Sequence, residues 1–380
     1  MDITQPLPLL GGLSARQFMK RHWQKKPLLV RGAVPGLAPL LERKELFELV
    51  ARDEVESRLV AQVGKGWQMR RGPFGRRAFP PLSRPGWTLL VQGVDLHHDG
   101  IHDLLQQFCF VPQARLDDLM ISYATDGGGV GPHFDSYDVF LLQAQGRRRW
   151  RIGRQKDLTL QENVPLKILA NFQWEQDFLL EPGDMLYLPP RYAHDGVAQG
   201  ECQTYSIGFR SPGRGEAACE LLQRLAEDAD AFAGDGIYRD PGQAATDAPG
   251  AIPREMQLFA CDAVKAALKD PAGLARVLGE YLTEPKANVW FEAGKAPRAL
   301  RSAVLDRRTR MMHDARHIFV NGESWRASGR DAALMRKLAD RRSLGAPELL
   351  RASNTARSLL KAWCEAGWLH EAGGDRDRKP

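Results

Sequence analysis

From the start to about residue 210 the chain is a succession of short apolar runs cut by glycine and proline. The runs "KPLLVRGAV", "WTLLVQGV", "LMISYAT", "YDVFLLQAQ", "RRRWRIG", "DMLYLPP" and "TYSIGF" have the length and composition of strands. No regular helices alternate with them, which predicts an antiparallel sandwich or barrel and argues against a parallel doubly wound sheet. One helix precedes them, because Ser14 with Gln17 three residues later forms a capping box before "FMKRHW". From 211 to 285 the pattern turns helical in the Ala- and Leu-rich "EAACELLQRLAEDADAF" and "EMQLFACDAVKAALK". The intervening Gly, Pro and Asp define a loop. From 286 to 380 "HIFVNGESW" predicts a hairpin turning on Asn321 and Gly322, followed by the helices "DAALMRKLADR", "PELLR" and "ARSLLKAWCEAGWL".

Three regions follow, 1–210, 211–285 and 286–380, in a chain of 380 residues that exceeds the usual size of a single core. Strands and helices within the last region resemble a winged-helix module, with Trp325, Trp363 and Trp368 as its core. In the middle region Leu221, Leu222, Leu225, Leu258, Phe259 and Leu268 are more apolar surface than a small helical insert can bury alone, which predicts a homodimer through these helices. No run reaches the length of about eighteen apolar residues that a membrane helix needs. The N-terminus has no basic segment of a secretory signal, and the five cysteines contain no C-x-x-C pair. The expected location is the cytoplasm. A net charge of +6 is compatible with a nucleic-acid neighbourhood without requiring one.

The chemistry concentrates in "TDGGGVGPHFDSYDVFLLQAQGRRRW". His133 and Asp135 are two apart, so on a strand both point to one face. A third ligand is available at His194, 61 residues after His133, in "EPGDMLYLPPRYAHDGVA". Two histidines and one carboxylate with open positions make up the facial triad of non-haem Fe(II) oxygenases. By itself an HxD triplet is common. Alternation adds weight by setting Arg148 on one face with Trp150 and Ile152, and Arg147, Arg149 and Arg151 on the other, where they form a solvated face. A guanidinium among apolar groups needs a buried anion, which a dicarboxylate such as 2-oxoglutarate would supply.

These residues, with "YSIGFR" and the opening "RHWQKKPLLVRGA", resemble the JmjC-type 2-oxoglutarate oxygenases, and within them the bacterial ribosomal oxygenases. The resemblance implies an α+β architecture: a cupin-like JmjC double-stranded β-helix, a helical dimerisation region and a C-terminal winged helix. It implies His133, Asp135 and His194 as Fe(II) ligands, Arg148 as the residue binding the distal carboxylate of 2-oxoglutarate, and Ser122 as its helper. The implied reaction turns 2-oxoglutarate into succinate and CO2 while hydroxylating an arginine β-carbon of a large-subunit ribosomal protein, protein sixteen.

Two other readings stay open: a histidyl hydroxylase of another ribosomal protein, and a non-enzymatic regulator that binds DNA through the winged helix. An arginine substrate needs a carboxylate that is not a ligand, and Asp138 and Asp195 are the candidates nearest in sequence. The triple glycine Gly127 to Gly129 lacks the Lys and Ser/Thr of a phosphate loop and is read as a turn that lets substrate backbone approach the metal. His97, His98 and His102 read as a polar loop or helix start. Arg336, Lys337, Arg341 and Arg342 could touch nucleic acid, although a solvated helix face is the simpler reading.

Overall fold

The computed structural model describes residues 2–64 and 66–372, so residues 373–380 of the expected C-terminal region lie outside the described residues. It divides into two compact units, Met1–Ser211 and Pro212–Pro380. The first contains, in chain order, α1 (Ala15–Arg21), β1 (Leu28–Val30), α2 (Arg43–Leu49), β2 (Ser57–Val63), β3 (Gly66–Arg71), β4 (Trp87–Val91) and α3 (Asp99–Gln106). These are followed by β5 (Leu116–Ala124), β6 (Val139–Gly153), β7 (Gln176–Leu180), β8 (Met185–Leu188) and β9 (Ala193–Phe209). All pairing is antiparallel, in the order β1-β8-β6-β9-β5-β4-β2-β3 with β7 on β6.

Two long strands build both layers. The segments "YDVFLLQAQ" and "RRRWRIG" are one strand, β6, whose register slips between Gln143 and Arg147. Gly146 sits in that slip at φ +63°, where an added Cβ would come within 2.1 Å of the Glu201 carbonyl oxygen. Only glycine tolerates both conditions. Residues 139–143 pair with β8 and the end of β9, whereas 147–153 pair with β7 and the beginning of β9. Val139, Leu141, Leu186 and Leu188 from the first layer pack with Trp150, Ile152, Leu180 and Tyr192 from the second. The outer face of the larger layer is a separate core, where Phe18, Leu46, Ile101 and Leu105 of the helices cover Leu89, Ile121, Phe140 and Ile207. The capping box at Ser14 and Gln17 starts α1 as expected.

In the second unit, the helical segments become α4 (Arg214–Glu227), α5 (Ala229–Ala233), α6 (Arg254–Ala267) and α7 (Pro271–Thr283). Then come β10 (Ala303–Leu305), β11 (Met311–His313), β12 (His317–Val320), β13 (Glu323–Arg326), α8 (Gly329–Arg341), β14 (Ser343–Leu344), α9 (Ala346–Leu349), α10 (Asn354–Glu365) and β15 (Leu369–His370). Asn321 (φ +48°) and Gly322 (φ +90°) turn the hairpin between β12 and β13. Trp325 meets Trp363 edge-on at 5.3 Å in the core of this unit. Helix α7 packs on the hairpin through Gly279, whose missing side chain makes room for the Phe319 ring, and Thr283 Oγ1 accepts a hydrogen bond from the Gly322 N–H. Helix α6 buries none of its residues: Leu258, Phe259 and Val264 are exposed, as is Leu268 at its C-terminal cap.

Candidate active site

His133 lies in a single antiparallel bridge to His194, not in a continuous strand, and the two backbones exchange N–H to O=C hydrogen bonds of 3.0 and 2.8 Å. The candidate ligand atoms of His133, Asp135 and His194 all lie within 4.8 Å of one another, and the imidazole centroids are 4.3 Å apart. Nδ1 of His133 is 2.9 Å from the Gly131 carbonyl and Nδ1 of His194 is 3.0 Å from the Tyr192 carbonyl. A carbonyl only accepts, so both hydrogens sit on Nδ1 and both Nε2 lone pairs are left for a cation. Burial, reinforced by the neighbouring His133, drives the His194 imidazole well below its ordinary pKa, against the pull of Asp135. A neutral imidazole is the form that ligates metal. Two neutral nitrogens and a carboxylate on one side fit a divalent iron with positions left open.

Arg148 stands on the same inner wall. In the ladder between β6 and β9, Ile152 opposes His194, Trp150 opposes Gly196 and Arg148 opposes Ala198, so all three face the layer interior with the ligands. Arg148 is only 3% exposed, yet among the described residues no carboxylate pairs with it. Nη1 donates to Ser122 Oγ at 2.9 Å and Thr204 Oγ1 at 3.3 Å, Nε has no partner, and Trp150 lies under the group at 5.5 Å. A buried cation held only by neutral hydroxyls and a ring is incomplete without an anion. The site thus fits a dicarboxylate with one end on the metal position and the other on Arg148. Arg149 and Arg151 point the other way as expected, but both bind Asp177 on β7, so that face is paired and not merely solvated.

Several other expectations change. Asp138 is fully buried, accepting from Tyr187 Oη at 2.6 Å, Gln24 Nε2 at 3.0 Å and Arg115 Nη2 at 3.4 Å, and is committed to the fold. Asp195 opposes Arg151 in the ladder and so faces away from His194, since successive strand residues alternate. Asp138 is therefore not free to meet a substrate, and Asp195 points to the other face, although its carboxyl still feels the charges of His133, Arg151 and Arg148. On the inner face, four residues before Ser122 on β5, Asp118 is itself buried, with Oδ1 over Gly208 and Oδ2 accepting from the Gly93 N–H at 2.9 Å. The exposed Tyr137 sits among these acids. Burial of its hydroxyl, then Asp135, Asp118 and Asp117, raise its pKa. Sequence reasoning missed Thr204 and Asp118, which stand out only once β9 is set beside β5.

The triple glycine serves the protein's own backbone. A Cβ on Gly128 would meet the Trp87 carbonyl oxygen at 2.5 Å and one on Gly129 the Gly196 carbonyl oxygen at 2.7 Å. The turn therefore docks on β4 and β9 where substrate approach was expected. His98 caps α3, accepting from the Ile101 N–H, and among the described residues no metal-binding cluster besides His133, Asp135 and His194 occurs. The winged-helix cations are spent internally: Arg336 donates to the Ala315 carbonyl, Lys337 and Arg341 pair with Glu348, and Arg342 donates to the Thr309 and Asp306 carbonyls.

Residues 103–216 match the JmjC domain and residues 266–370 the ROXA-like winged helix. The ribosomal protein uL16 3-hydroxylase of Escherichia coli (strain K12) is 35% identical over 277 residues, 71% of each chain. The X-ray structure of E. coli ycfD superposes with a TM-score of 0.82 at 28% identity, covering 93% of this chain and 97% of that one. The same ribosomal oxygenase in complex with cobalt and 2-oxoglutarate superposes with a TM-score of 0.78 at 28% identity, over 94% and 98% of the two chains. With that likeness spanning both units and a two-histidine, one-carboxylate centre facing a buried arginine, the chain belongs to the JmjC-type ribosomal oxygenases, the Fe(II)- and 2-oxoglutarate-dependent dioxygenases.

Proposed function

We propose that this protein hydroxylates the β-carbon of an arginine in ribosomal protein uL16, with His133, Asp135 and His194 holding Fe(II) and Arg148 receiving the distal carboxylate of 2-oxoglutarate. The observation that carries this reading is the buried, carboxylate-free guanidinium of Arg148 on the same inner face as the three converging ligands. The substrate protein follows from the relative that shares 71% of its length with this chain and is named a ribosomal protein uL16 3-hydroxylase, and the arginine is what the family resemblance implies.

Bound there, iron and 2-oxoglutarate supply the oxidation, in which O2 is split between succinate and the hydroxylated carbon while CO2 leaves. The chain's own residues do the positioning. Ser122 and Thr204 accept from Nη1 of Arg148, and Thr204 Oγ1 in turn donates to Gln143 Oε1 at 2.9 Å, which fixes the guanidinium before the co-substrate arrives. The Gly131 and Tyr192 carbonyls hold the imidazoles with Nε2 aimed inward. Val139, Leu141, Leu186 and Leu188 make the opposite wall dry, which strengthens each charge interaction inside.

The assembly we propose is a cytoplasmic homodimer whose two copies bury the apolar face of α6 and Leu222 of α4. Residues 1–210 form the oxygenase domain of each copy. The function is tested by incubating the purified protein with Fe(II), 2-oxoglutarate and an arginine-containing uL16 peptide, then locating the modification by fragmentation mass spectrometry. One added oxygen on the arginine is expected. Addition to histidine, or to no residue while 2-oxoglutarate is consumed, would overturn the arginine assignment.

A further inference from the structure

Between Ser57 and Val94 the sequence carries seven lysines and arginines and no aspartate or glutamate. Among the described residues Arg70, Arg71, Arg76, Arg77 and Arg84 are exposed. Arg76 reaches Glu48 and Arg70 donates to the Ala78 carbonyl. The side chains of Arg71, Arg77 and Arg84 make no ion pair or hydrogen bond among the described residues. Three unspent arginines within fourteen residues, on a stretch that carries no carboxylate of its own, are a feature to explain.

Their placement is specific. β3 is the outer edge of the large sheet. Arg71 on it stands directly opposite Arg58 on β2, and like charges so opposed cost the fold stability. The register continues from Arg58 to Leu90 and from Leu90 to Ser122, the residue that receives Arg148. Residues directly opposed across strands share a face, so Arg71, Arg58, Leu90 and Ser122 form one row on the inner face, spanning three strand spacings, about 14 Å. Trp67 shares the face of Arg71. Its ring edge lies 3.1 Å from where a Cβ on Gly131 would be, two residues from His133. A cationic strip, Arg71 and Arg58, therefore runs on the inner face from the edge of the sheet towards Ser122, and Trp67 on the same edge strand reaches the turn before His133.

Such a strip repels a cation-rich polypeptide; what it attracts is a polyanion. We propose that β2, β3 and the loop 72–84 bind RNA, namely the ribosomal RNA strand adjoining the target segment, with Arg58, Arg71, Arg77 and Arg84 on phosphates and Trp67 available to stack a base. The choice of RNA among polyanions rests on the reading that the substrate is a ribosomal protein. The charge pattern itself does not.

The test is fluorescence anisotropy of a labelled 20-nucleotide single-stranded RNA titrated with the full-length protein at 50 to 200 mM salt, for the parent and for Arg71→Glu/Arg77→Glu/Arg84→Glu. These side chains are exposed and Arg71→Glu turns a like-charge pair with Arg58 into an opposite-charge one, so the variant is expected to melt at or above the parent's temperature and to keep its turnover with a uL16 peptide. The expected result is a loss of RNA affinity of about tenfold or more, with the slope of log K against log salt reduced by about 2. A parent that fails to bind RNA at 50 mM salt, a triple variant that binds as tightly with the same slope, or equal competition by polyglutamate of matched charge would each overturn the inference. Failure of peptide hydroxylation alongside intact, charge-dependent RNA binding would instead count against the uL16 reading alone.

Discussion

Replacing Arg148 by Met separates a co-substrate anchor from a structural residue, because the two roles predict opposite effects on stability. Arg148 is 3% exposed and its polar partners are the hydroxyls of Ser122 and Thr204, with Nε unpartnered. Burying such a charge without a counter-charge costs several kcal/mol, so an apolar side chain of similar length leaves the free protein within about 1 kcal/mol of the parent or more stable. Co-substrate binding loses a buried, charge-assisted pair worth about 3 kcal/mol, a rise in 2-oxoglutarate Kd of roughly 100-fold. At a concentration 100 times the parent's Kd, 2-oxoglutarate stabilises the parent by about 2.7 kcal/mol and the variant by about 0.4 kcal/mol. For a domain of this size that is a thermal shift of about 5–11 °C against about 1 °C, read by scanning fluorimetry in the presence of a divalent metal. A Met variant destabilised by several kcal/mol, with 2-oxoglutarate affinity changed less than about fivefold, would refute the reasoning and make Arg148 a structural residue.

Three further outcomes are expected. Asp135→Ala abolishes hydroxylation and weakens Co(II) binding at least about tenfold, followed by visible absorption, while circular dichroism stays that of the parent. In the second unit the Asp306 carboxyl is pushed up by burial but held below its ordinary range by hydrogen bonds from Arg308, whose Nε donates to Oδ1 at 2.8 Å. A depressed folded pKa contributes stability above the unfolded value near 4 and loses it as pH falls through the folded one. Asp306→Asn therefore lowers urea stability at pH 7 by about 1.5–3 kcal/mol, the loss expected for hydrogen bonds to a charged group, and the difference from the parent shrinks as pH falls through the carboxylate range; a difference independent of pH would show that the carboxylate charge is not what matters. Light scattering gives the mass of two chains at micromolar concentration, and Leu258→Glu with Phe259→Glu reduces it to one, because a carboxylate on each exposed position of α6 opposes burial of that face.

What the sequence determined by itself was local in character. The Ser14 capping box, the Asn321–Gly322 turn and the strand runs depend on residues a few positions apart, and each recurs in the structure. Alternation along "RRRWRI" correctly separated Arg148 from its neighbours, and the HxD spacing with His194 named the three residues that converge. The strands β2 and β3 escaped notice, and on the edge strand β3 Arg70 and Arg71 put charge on both faces and blur the period of two. Proximity in sequence also misled at Asp138 and Asp195: one is drawn into the core by Tyr187, Gln24 and Arg115, the other is turned away by a single step of the pleat. Tertiary structure alone decided that Thr204 joins Ser122 on Arg148, that Asp118 shares their face, and that Arg336, Lys337, Arg341 and Arg342 are spent internally. The physical reason is that alternation assigns a residue to one of two faces, whereas which face is inward and what stands opposite are set by register with strands tens of residues away.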